Sequence, residues 1–164
     1  MHFAEKLFTV LIADDDSDDI LFTQKAFQDL GFRAYLQTVK NGEELLIYLD
    51  KYISDNDPHL IIPDLILLDL NMPVKNGWET LEKIRSLKRL RDISVVIWTA
   101  NESDKDRLRS IEMGADYYIT KPRGYTDLLS CISFLLKIFC GFPRMKEVSL
   151  ERLCINGHPS LSYL

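Results

Sequence analysis

Short hydrophobic segments alternate with longer segments of helical periodicity along most of the chain. Five segments rich in apolar and β-branched residues predict strands, at positions 8–13, 35–39, 63–69, 94–99 and 117–120. Their apolar residues are nearly continuous rather than alternating, which is typical of strands buried on both faces of a parallel sheet. We therefore expect a parallel sheet covered by helices on both sides.

Five further segments carry apolar residues at helical spacing. The first helix is predicted to begin at Ser17, which can cap it, and to stop at Gly31. The other helices are predicted over 42–54, 78–87, 103–113 and 125–139. Five successive β–α units predict an α/β fold, a doubly wound five-stranded parallel sheet flanked by five helices.

The composition narrows the class of protein. The chain of 164 residues has 20 basic and 25 acidic side chains and a formal charge of −5, which does not favour a nucleic-acid-binding surface. No apolar run approaches the roughly 20 residues needed to cross a bilayer. The three cysteines form no CxxC motif, which favours a reducing compartment and a cytoplasmic protein. We expect one domain over residues 1–140 and a C-terminal tail over 141–164.

Polar residues stand where four of the predicted strands end. They are Asp14, Asp15 and Asp16 after the first strand, Asp69 and Asn71 at the third, Thr99 in the fourth and Lys121 after the fifth. Ligands of an open parallel sheet collect outside the carboxyl ends of its strands. We therefore expect these side chains to meet at one edge of the sheet.

The acids of this group favour a bound cation. Two carboxylates about 4 Å apart repel by roughly 4 kcal/mol at an effective dielectric near 20. With a third acid beside them, either one of the acids takes up a proton or a cation binds. Oxygen ligands without clustered Cys or His favour Mg²⁺ or Mn²⁺, and Mg²⁺ commonly binds phosphate as well. The Lys121 ammonium and the Thr99 hydroxyl can bind phosphoryl oxygens, and Asp69 can attack phosphorus to form an acyl phosphate.

The same residues lie in motifs that resemble a known family. The motifs are Val10-Leu11-Ile12-Ala13-Asp14-Asp15-Asp16, Leu67-Leu68-Asp69-Leu70-Asn71-Met72-Pro73 followed by Asn76-Gly77, Val95-Val96-Ile97-Trp98-Thr99-Ala100, Gly114-Ala115 and Lys121-Pro122. Over about residues 7–140 they resemble the receiver domain of bacterial response regulators, the CheY-like superfamily. The chain is most similar to small single-domain regulators, including those that partner cyanobacterial phytochromes. The resemblance implies the flavodoxin-like strand order 2-1-3-4-5.

The resemblance also implies site roles. Asp69 is the phosphoacceptor, and Mg²⁺ (or Mn²⁺) is held by Asp14, Asp15, Asp69 and the backbone carbonyl of Asn71. Thr99 and Lys121 bind the phosphoryl oxygens and act with Asp69 in catalysis. Thr99 and Tyr118 are the switch residues, and the Lys121–Pro122 peptide bond is expected to be cis.

The function implied is that of a signalling phosphoacceptor in a two-component phosphorelay rather than an enzyme with a separate substrate. A histidine kinase, which for the most similar regulators is a phytochrome-type photoreceptor, supplies the phosphoryl group to Asp69. The domain catalyses this transfer and a slow autodephosphorylation, and it alters the protein-interaction surface formed by the fourth helix, fifth strand and fifth helix. DNA and membrane partners are not expected, partly because a 24-residue tail is too short for an added DNA-binding domain.

Several alternatives remain open at this stage. Asp16, Asp18 and Asp19 can simply stabilise the start of the first helix through its dipole, and Tyr117 competes with Tyr118 for the switch position. A phosphatase of the haloacid-dehalogenase type also uses an Asp nucleophile with Mg²⁺, but it normally has a second acid where this chain has Asn71. A phosphorylation-independent interaction module is the other rival.

The fifth predicted helix has a wide apolar surface. One stripe can face the sheet, formed by Leu128, Ile132, Leu135, Leu136 and Phe139. A second apolar face is formed by Cys131, Phe134, Ile138 and Phe142. A surface helix normally needs one such stripe, so we expect the second face to be covered by the tail or, preferably, by the partner in a homodimer.

Overall fold

A computed structural model of the protein describes residues 7–54 and 61–140. Its centre is a five-stranded sheet in which every pair is parallel and the order is β2-β1-β3-β4-β5. The strands are β1 (Phe8–Ala13), β2 (Ala34–Val39), β3 (Leu65–Leu68), β4 (Ser94–Thr99) and β5 (Tyr117–Thr120). The predicted fold class and strand order are confirmed.

Five α-helices connect and cover these strands. They are α1 (Ser17–Asp29), α2 (Gly42–Ser54), α3 (Gly77–Ser86), α4 (Asp104–Glu112) and α5 (Tyr125–Cys140), with a short 3₁₀ turn at Lys88–Leu90. The prediction that Ser17 caps the first helix is wrong. Asp16 is the cap, because its carboxylate accepts the backbone N–H groups of Asp18 and Asp19 at 2.8 and 3.3 Å.

The sheet separates two hydrophobic layers. Ile66 and Leu68 of β3 face a layer that includes α2 and α3, whereas Leu65 and Leu67 face a layer that includes α1 and α5. All four side chains are fully buried. Burial on both faces explains why this strand is continuously apolar in the sequence.

The register of the strands brings their carboxyl ends to one edge. Ala13 pairs with Leu68, and Leu68 pairs with Ile97 on the next strand. Immediately beyond this row, the backbone N–H of Asp69 donates to the carbonyl of Ala13 at 2.9 Å. The side chains that follow β1 and β3 therefore start from fixed, adjacent backbone positions.

The apolar surface of α5 is arranged differently from the prediction. Cys131 is 3% exposed and packs into the layer shared with α1, so it belongs to the inward face. The rings of Phe134 and Phe139 pack edge-on against the ring of Tyr117 in β5. Their centroids lie 6.0 and 5.8 Å, respectively, from the centroid of Tyr117. Ile138 stays 38% exposed, while Phe142 and the tail over 141–164 lie outside the described residues. Within the described part of the chain, no helix has the length and apolarity to cross a membrane.

Candidate functional site

Three carboxylates meet beyond the ends of β1 and β3. Asp14 and Asp69 are 1% and 6% exposed, and Asp15 is exposed. One oxygen of each carboxylate can be chosen so that all three lie within 4.8 Å of one another. A group of hard oxygen donors at this spacing fits a small divalent cation such as Mg²⁺ or Mn²⁺.

Lys121 reaches into this group from the end of β5. Its Nζ lies 2.7 Å from Oδ2 of Asp14, 2.7 Å from Oδ2 of Asp19 and 3.1 Å from Oδ2 of Asp69. The contact with Asp14 is an ion pair between two largely buried side chains, 11% and 1% exposed. One ammonium group thus partly balances three carboxylates.

The two partners of this ion pair titrate abnormally. Burial raises the pKa of Asp14 from 3.8 to about 6, although the contact with Lys121 opposes the shift. Burial also disfavours the charged form of Lys121, but the contacts with Asp14 and Asp19 and the charge of Asp69 together outweigh it, so the pKa of Lys121 lies above its usual value. Asp14 therefore changes charge near neutral pH, whereas Lys121 stays charged there.

Asp19 is a further carboxylate that binds Lys121, and the sequence did not predict this contact. Its position near the start of α1 predicts only a helix-dipole role, which also suits Asp16 and Asp18. The structure separates these three acids, because Asp16 caps the helix, Asp18 is exposed and Asp19 binds Lys121. No local signal distinguishes them, since the amine that binds Asp19 comes from a residue 102 positions later in the chain.

The peptide bond before Pro122 departs from the expectation drawn from the family resemblance. The described residues contain no cis peptide bond, so the Lys121–Pro122 bond is trans. Trans is the intrinsically preferred form of an X–Pro bond. In this form the Lys121 amine already reaches the carboxylates of Asp14 and Asp69.

The loop that follows β3 is tightly held against Asp69. The backbone N–H of Asn71 donates to Oδ1 of Asp69 at 3.3 Å. Gly77 sits so close that a Cβ there would lie 2.3 Å from the carbonyl oxygen of Asp69. Between them Val74 adopts a φ of +65°, a conformation that is strained for a β-branched residue. These features fix the backbone of the loop beside the Asp69 carboxylate.

Thr99 and Tyr118 are joined through the loop that follows β4. Thr99 is fully buried at the end of β4, the strand next to β3. Its hydroxyl oxygen accepts the backbone N–H of Asn101 at 3.4 Å, and the carbonyl of Asn101 accepts the Tyr118 hydroxyl at 2.7 Å. Burial, with a smaller contribution from Asp106, raises the pKa of Tyr118 to about 12. Tyr117 packs on two aromatic rings of α5, whereas Tyr118 binds this loop.

The fold and this edge of the sheet define a class of protein. The model of the response regulator receiver domain matches residues 10–133. The chain belongs to this family, and it is a receiver domain of the kind found in response regulators of two-component signalling. Receiver domains of this class are signalling phosphoacceptors.

The chain is similar in sequence to several regulatory proteins. It is 30% identical over 141 residues to the probable methanogenesis regulatory protein FilR2 of Methanothrix harundinacea, covering 86% of this chain and 89% of that protein. It is 32% identical over 128 residues to the transcriptional regulatory protein PrrA of Mycobacterium tuberculosis. That match covers 78% of this chain and 49% of PrrA, so the chain spans about half the length of this relative.

Solved structures of single-domain regulators are similar throughout. The phosphorylated cyanobacterial phytochrome response regulator RcpA has a TM-score of 0.75 and 27% identity, with 87% of this chain and all of RcpA covered. The response regulator RPA3017, in red light signalling of R. palustris, has the same TM-score and identity over 86% of this chain and 99% of its own. The Mn²⁺-bound form of response regulator Rcp1 has a TM-score of 0.72 and 26% identity, covering 85% and 99% of the two chains.

Proposed function

We propose that this protein is a single-domain response regulator that accepts a phosphoryl group on Asp69 from a histidine kinase and then changes its protein-interaction surface. The receiver domain spans residues 1–140, and residues 141–164 form a tail. One observation carries the proposal: the Lys121 amine contacts both Asp69 and Asp14, beside three carboxylates spaced for a divalent cation. That arrangement supplies a nucleophile and positive charge at one point.

The proposed metal ligands are the carboxylates of Asp14, Asp15 and Asp69 and the backbone carbonyl of Asn71. Their support is the all-oxygen donor set and the spacing of the three carboxylates. Rcp1, to which the chain is similar, has been solved in a Mn²⁺-bound form. When bound, Mg²⁺ neutralises part of the negative charge and polarises a phosphoryl oxygen.

The proposed chemical step is an in-line displacement at phosphorus. An oxygen of Asp69 attacks the phosphorus of a phosphohistidine, a P–O bond forms, and the P–N bond breaks with its electron pair passing to the imidazole. Lys121 and the Thr99 hydroxyl bind the phosphoryl oxygens as charge spreads over them. Attack by water on the acyl phosphate then releases inorganic phosphate slowly and restores the Asp69 carboxylate.

The proposed switch runs through Thr99 and Tyr118. Movement of Thr99 towards phosphorylated Asp69 shifts Asn101, whose carbonyl holds the Tyr118 hydroxyl. A change in that hydrogen bond then alters how the Tyr118 side chain of β5 packs against α4. A local change of charge thereby biases a two-state element at the surface formed by α4, β5 and α5.

A phosphorylation assay tests the function. The protein is incubated with acetyl phosphate and Mg²⁺, and intact mass is followed before and after hydroxylamine, which cleaves acyl phosphates. We expect one hydroxylamine-sensitive phosphoryl group in the wild type and none in Asp69→Asn. The matched control is Asp18→Asn, an exposed acid outside the carboxylate group, which should be phosphorylated like the wild type. An adduct that persists undiminished in Asp69→Asn would refute the assignment.

The partners follow from the same proposal. Similarity to RcpA and to RPA3017 supports a phytochrome-type histidine kinase as the donor, and we propose a cytoplasmic location because that is where such phosphotransfer takes place. We also propose a homodimer through the outer apolar face of α5, supported by the Ile138 side chain, which is 38% exposed. Sedimentation that shows only monomer at tens of micromolar, phosphorylated or not, would remove the dimer.

A further inference from the structure

Asn101 uses every polar group it has to tie the switch residues to α4. Its backbone N–H and carbonyl bind Thr99 and Tyr118, as described above. Its side-chain oxygen accepts the backbone N–H of Ser103 at 3.2 Å, and its side-chain amide donates to Oδ2 of Asp106. The link between Thr99 and Tyr118 therefore depends on where the Asn101 side chain is held.

Asp106 is the only charged group among these partners of Asn101 in the described part of the chain. It lies in the first turn of α4, where its backbone N–H donates to the capping hydroxyl of Ser103 at 3.2 Å. This capping fixes the position of Asp106 relative to the loop. A hydrogen bond to a carboxylate is shorter and stronger than one between neutral groups, so Asp106 is the firmest of the contacts that hold the Asn101 side chain.

The residue after Asp106 reaches Tyr118 directly. The guanidinium of Arg107 lies 5.4 Å from the centroid of the Tyr118 ring, within range of a cation–π interaction. The first turn of α4 thus contacts Tyr118 by two routes, through Asn101 to its hydroxyl and through Arg107 to its ring. A movement of the loop at Thr99 and a movement of α4 cannot be independent while both routes are intact.

We propose that Asp106 is a positioning residue that couples Thr99 to Tyr118 by holding the side chain of Asn101. The inference rests on the proposed function and extends it to a residue that does not touch the phosphoryl group. Without the Asp106 carboxylate, Asn101 loses its charged partner. The position of the Tyr118 side chain then no longer follows that of Thr99. Because coupling between two sites is reciprocal, the same loss weakens the effect of phosphorylation on Tyr118.

The variants separate this role from a general effect on α4. Asp106→Ala removes the acceptor, and Asp106→Asn keeps an oxygen that can still accept the Asn101 amide. The matched control is Glu112→Ala, which also removes one negative charge from α4. Glu112 is exposed and is the last residue of α4, at the opposite end of the helix from Asp106.

The first readout needs no phosphorylation. Fluorine NMR of protein labelled with fluorotyrosine, with Tyr118→Phe to assign the signal, reports the surroundings of Tyr118. In Asp106→Ala we expect this signal to move towards that of solvent-exposed fluorotyrosine, with a smaller movement in Asp106→Asn. Glu112→Ala should leave it in place. An unmoved signal in Asp106→Ala, or an equal movement in Glu112→Ala, would overturn the proposal.

The second readout measures the coupling itself. Acetyl phosphate and Mg²⁺ are added, and the displacement of the Tyr118 signal is compared among variants with equal phosphoryl occupancy. We expect the displacement to fall at least about twofold in Asp106→Ala and to stay at the wild-type value in Glu112→Ala. If the wild type forms no adduct, the proposed function fails, while the first readout still decides whether Asp106 positions Tyr118.

Discussion

The two halves of the sheet edge are built from different interactions. Beyond β1 and β3, Asp14 and Asp69 gather around the Lys121 ammonium within 3.1 Å. Beyond β4, Thr99 and Tyr118 are joined through the backbone of Asn101 by neutral hydrogen bonds of 3.4 and 2.7 Å. The first half concentrates charge on a fixed backbone, and the second is the part that, in the proposed switch, would transmit displacement along a loop. The difference teaches that the side chains proposed to react and those proposed to respond can lie at one edge of the sheet and still be disrupted by separate substitutions.

The largest expected effect comes from removing the cation of the first half. In Lys121→Met the phosphoryl oxygens lose one preorganised charged donor, so we expect the rate of phosphorylation by acetyl phosphate to fall on the order of 100-fold. The control is Lys105→Met, on the exposed surface of α4, which should react within a factor of two of the wild type. Equal rates for the two variants would mean that Lys121 has no part in the chemistry.

The rigid backbone of the first half can be tested through Gly77. A Cβ in Gly77→Ala would meet the Asp69 carbonyl at 2.3 Å and the Leu70 Cα at 2.8 Å, so we expect the free energy of unfolding to fall by about 3 kcal/mol. Urea denaturation measures it. Gly124→Ala is the control, because its Cβ would stand 3.4 Å from the Asp127 carboxylate, an ordinary contact. Comparable stability of both variants would show that the loop after β3 yields easily.

The charge of Asp14 gives the first half a pH dependence. Burial raises the pKa of Asp14 from 3.8 to about 6. The free-energy cost of ionising Asp14 in the folded protein is therefore absent below pH 3.8, and it develops as the pH rises from there through about 6. Relative to the wild type, Asp14→Asn should therefore gain stability between pH 4 and pH 7. We expect the gain to be about 2 kcal/mol, less than the full shift implies because solvent at the mouth of the site screens the charge.

Urea denaturation without divalent cations, repeated across this pH range, measures the gain. Asp18→Asn serves as the comparison, since Asp18 is exposed, and its difference from the wild type should stay nearly flat. If the stability difference between Asp14→Asn and the wild type is also independent of pH, Asp14 is not a buried carboxylate whose charge is poorly compensated.

The smallest effect concerns backbone strain at Val74. This side chain is 82% exposed and has a φ of +65°, so Val74→Asn loses no burial and introduces a residue that tolerates the left-handed region. We expect a gain of about 1 kcal/mol in the free energy of unfolding. Val74→Thr retains the β-branch and should show no such gain. A loss of stability in Val74→Asn would indicate that the loop is not strained.

The sequence predicted the strands well because burial on both faces leaves a continuous apolar run. β1, β4 and β5 have the predicted bounds, while the ladder of β3 covers only Leu65–Leu68 of the expected 63–69. Pro63 has no N–H to contribute to a ladder, so an apolar pattern alone overestimates that strand. The meeting of Asp14, Asp69 and Lys121 was also predictable, because carboxyl ends of parallel strands share an edge.

The features that were missed depend on contacts between distant segments. Asp19 and Lys121 are joined across 102 positions, and the helix dipole explains Asp19 equally well until the fold is known. The second apolar face of α5 was overestimated for a similar reason. α5 packs against α1 as well as the sheet, and the Tyr125 hydroxyl donates to Asp29 of α1 at 2.7 Å, so Cys131 is covered within the chain.

The most direct test of the central claim is to locate the phosphoryl group chemically. Borohydride reduces an aspartyl phosphate to homoserine, which peptide mass spectrometry identifies at a single position. After treatment with acetyl phosphate and Mg²⁺, the account predicts homoserine at position 69, and none when the divalent cation is chelated beforehand. Homoserine at another aspartate, or none in the folded protein despite Mg²⁺, would contradict it.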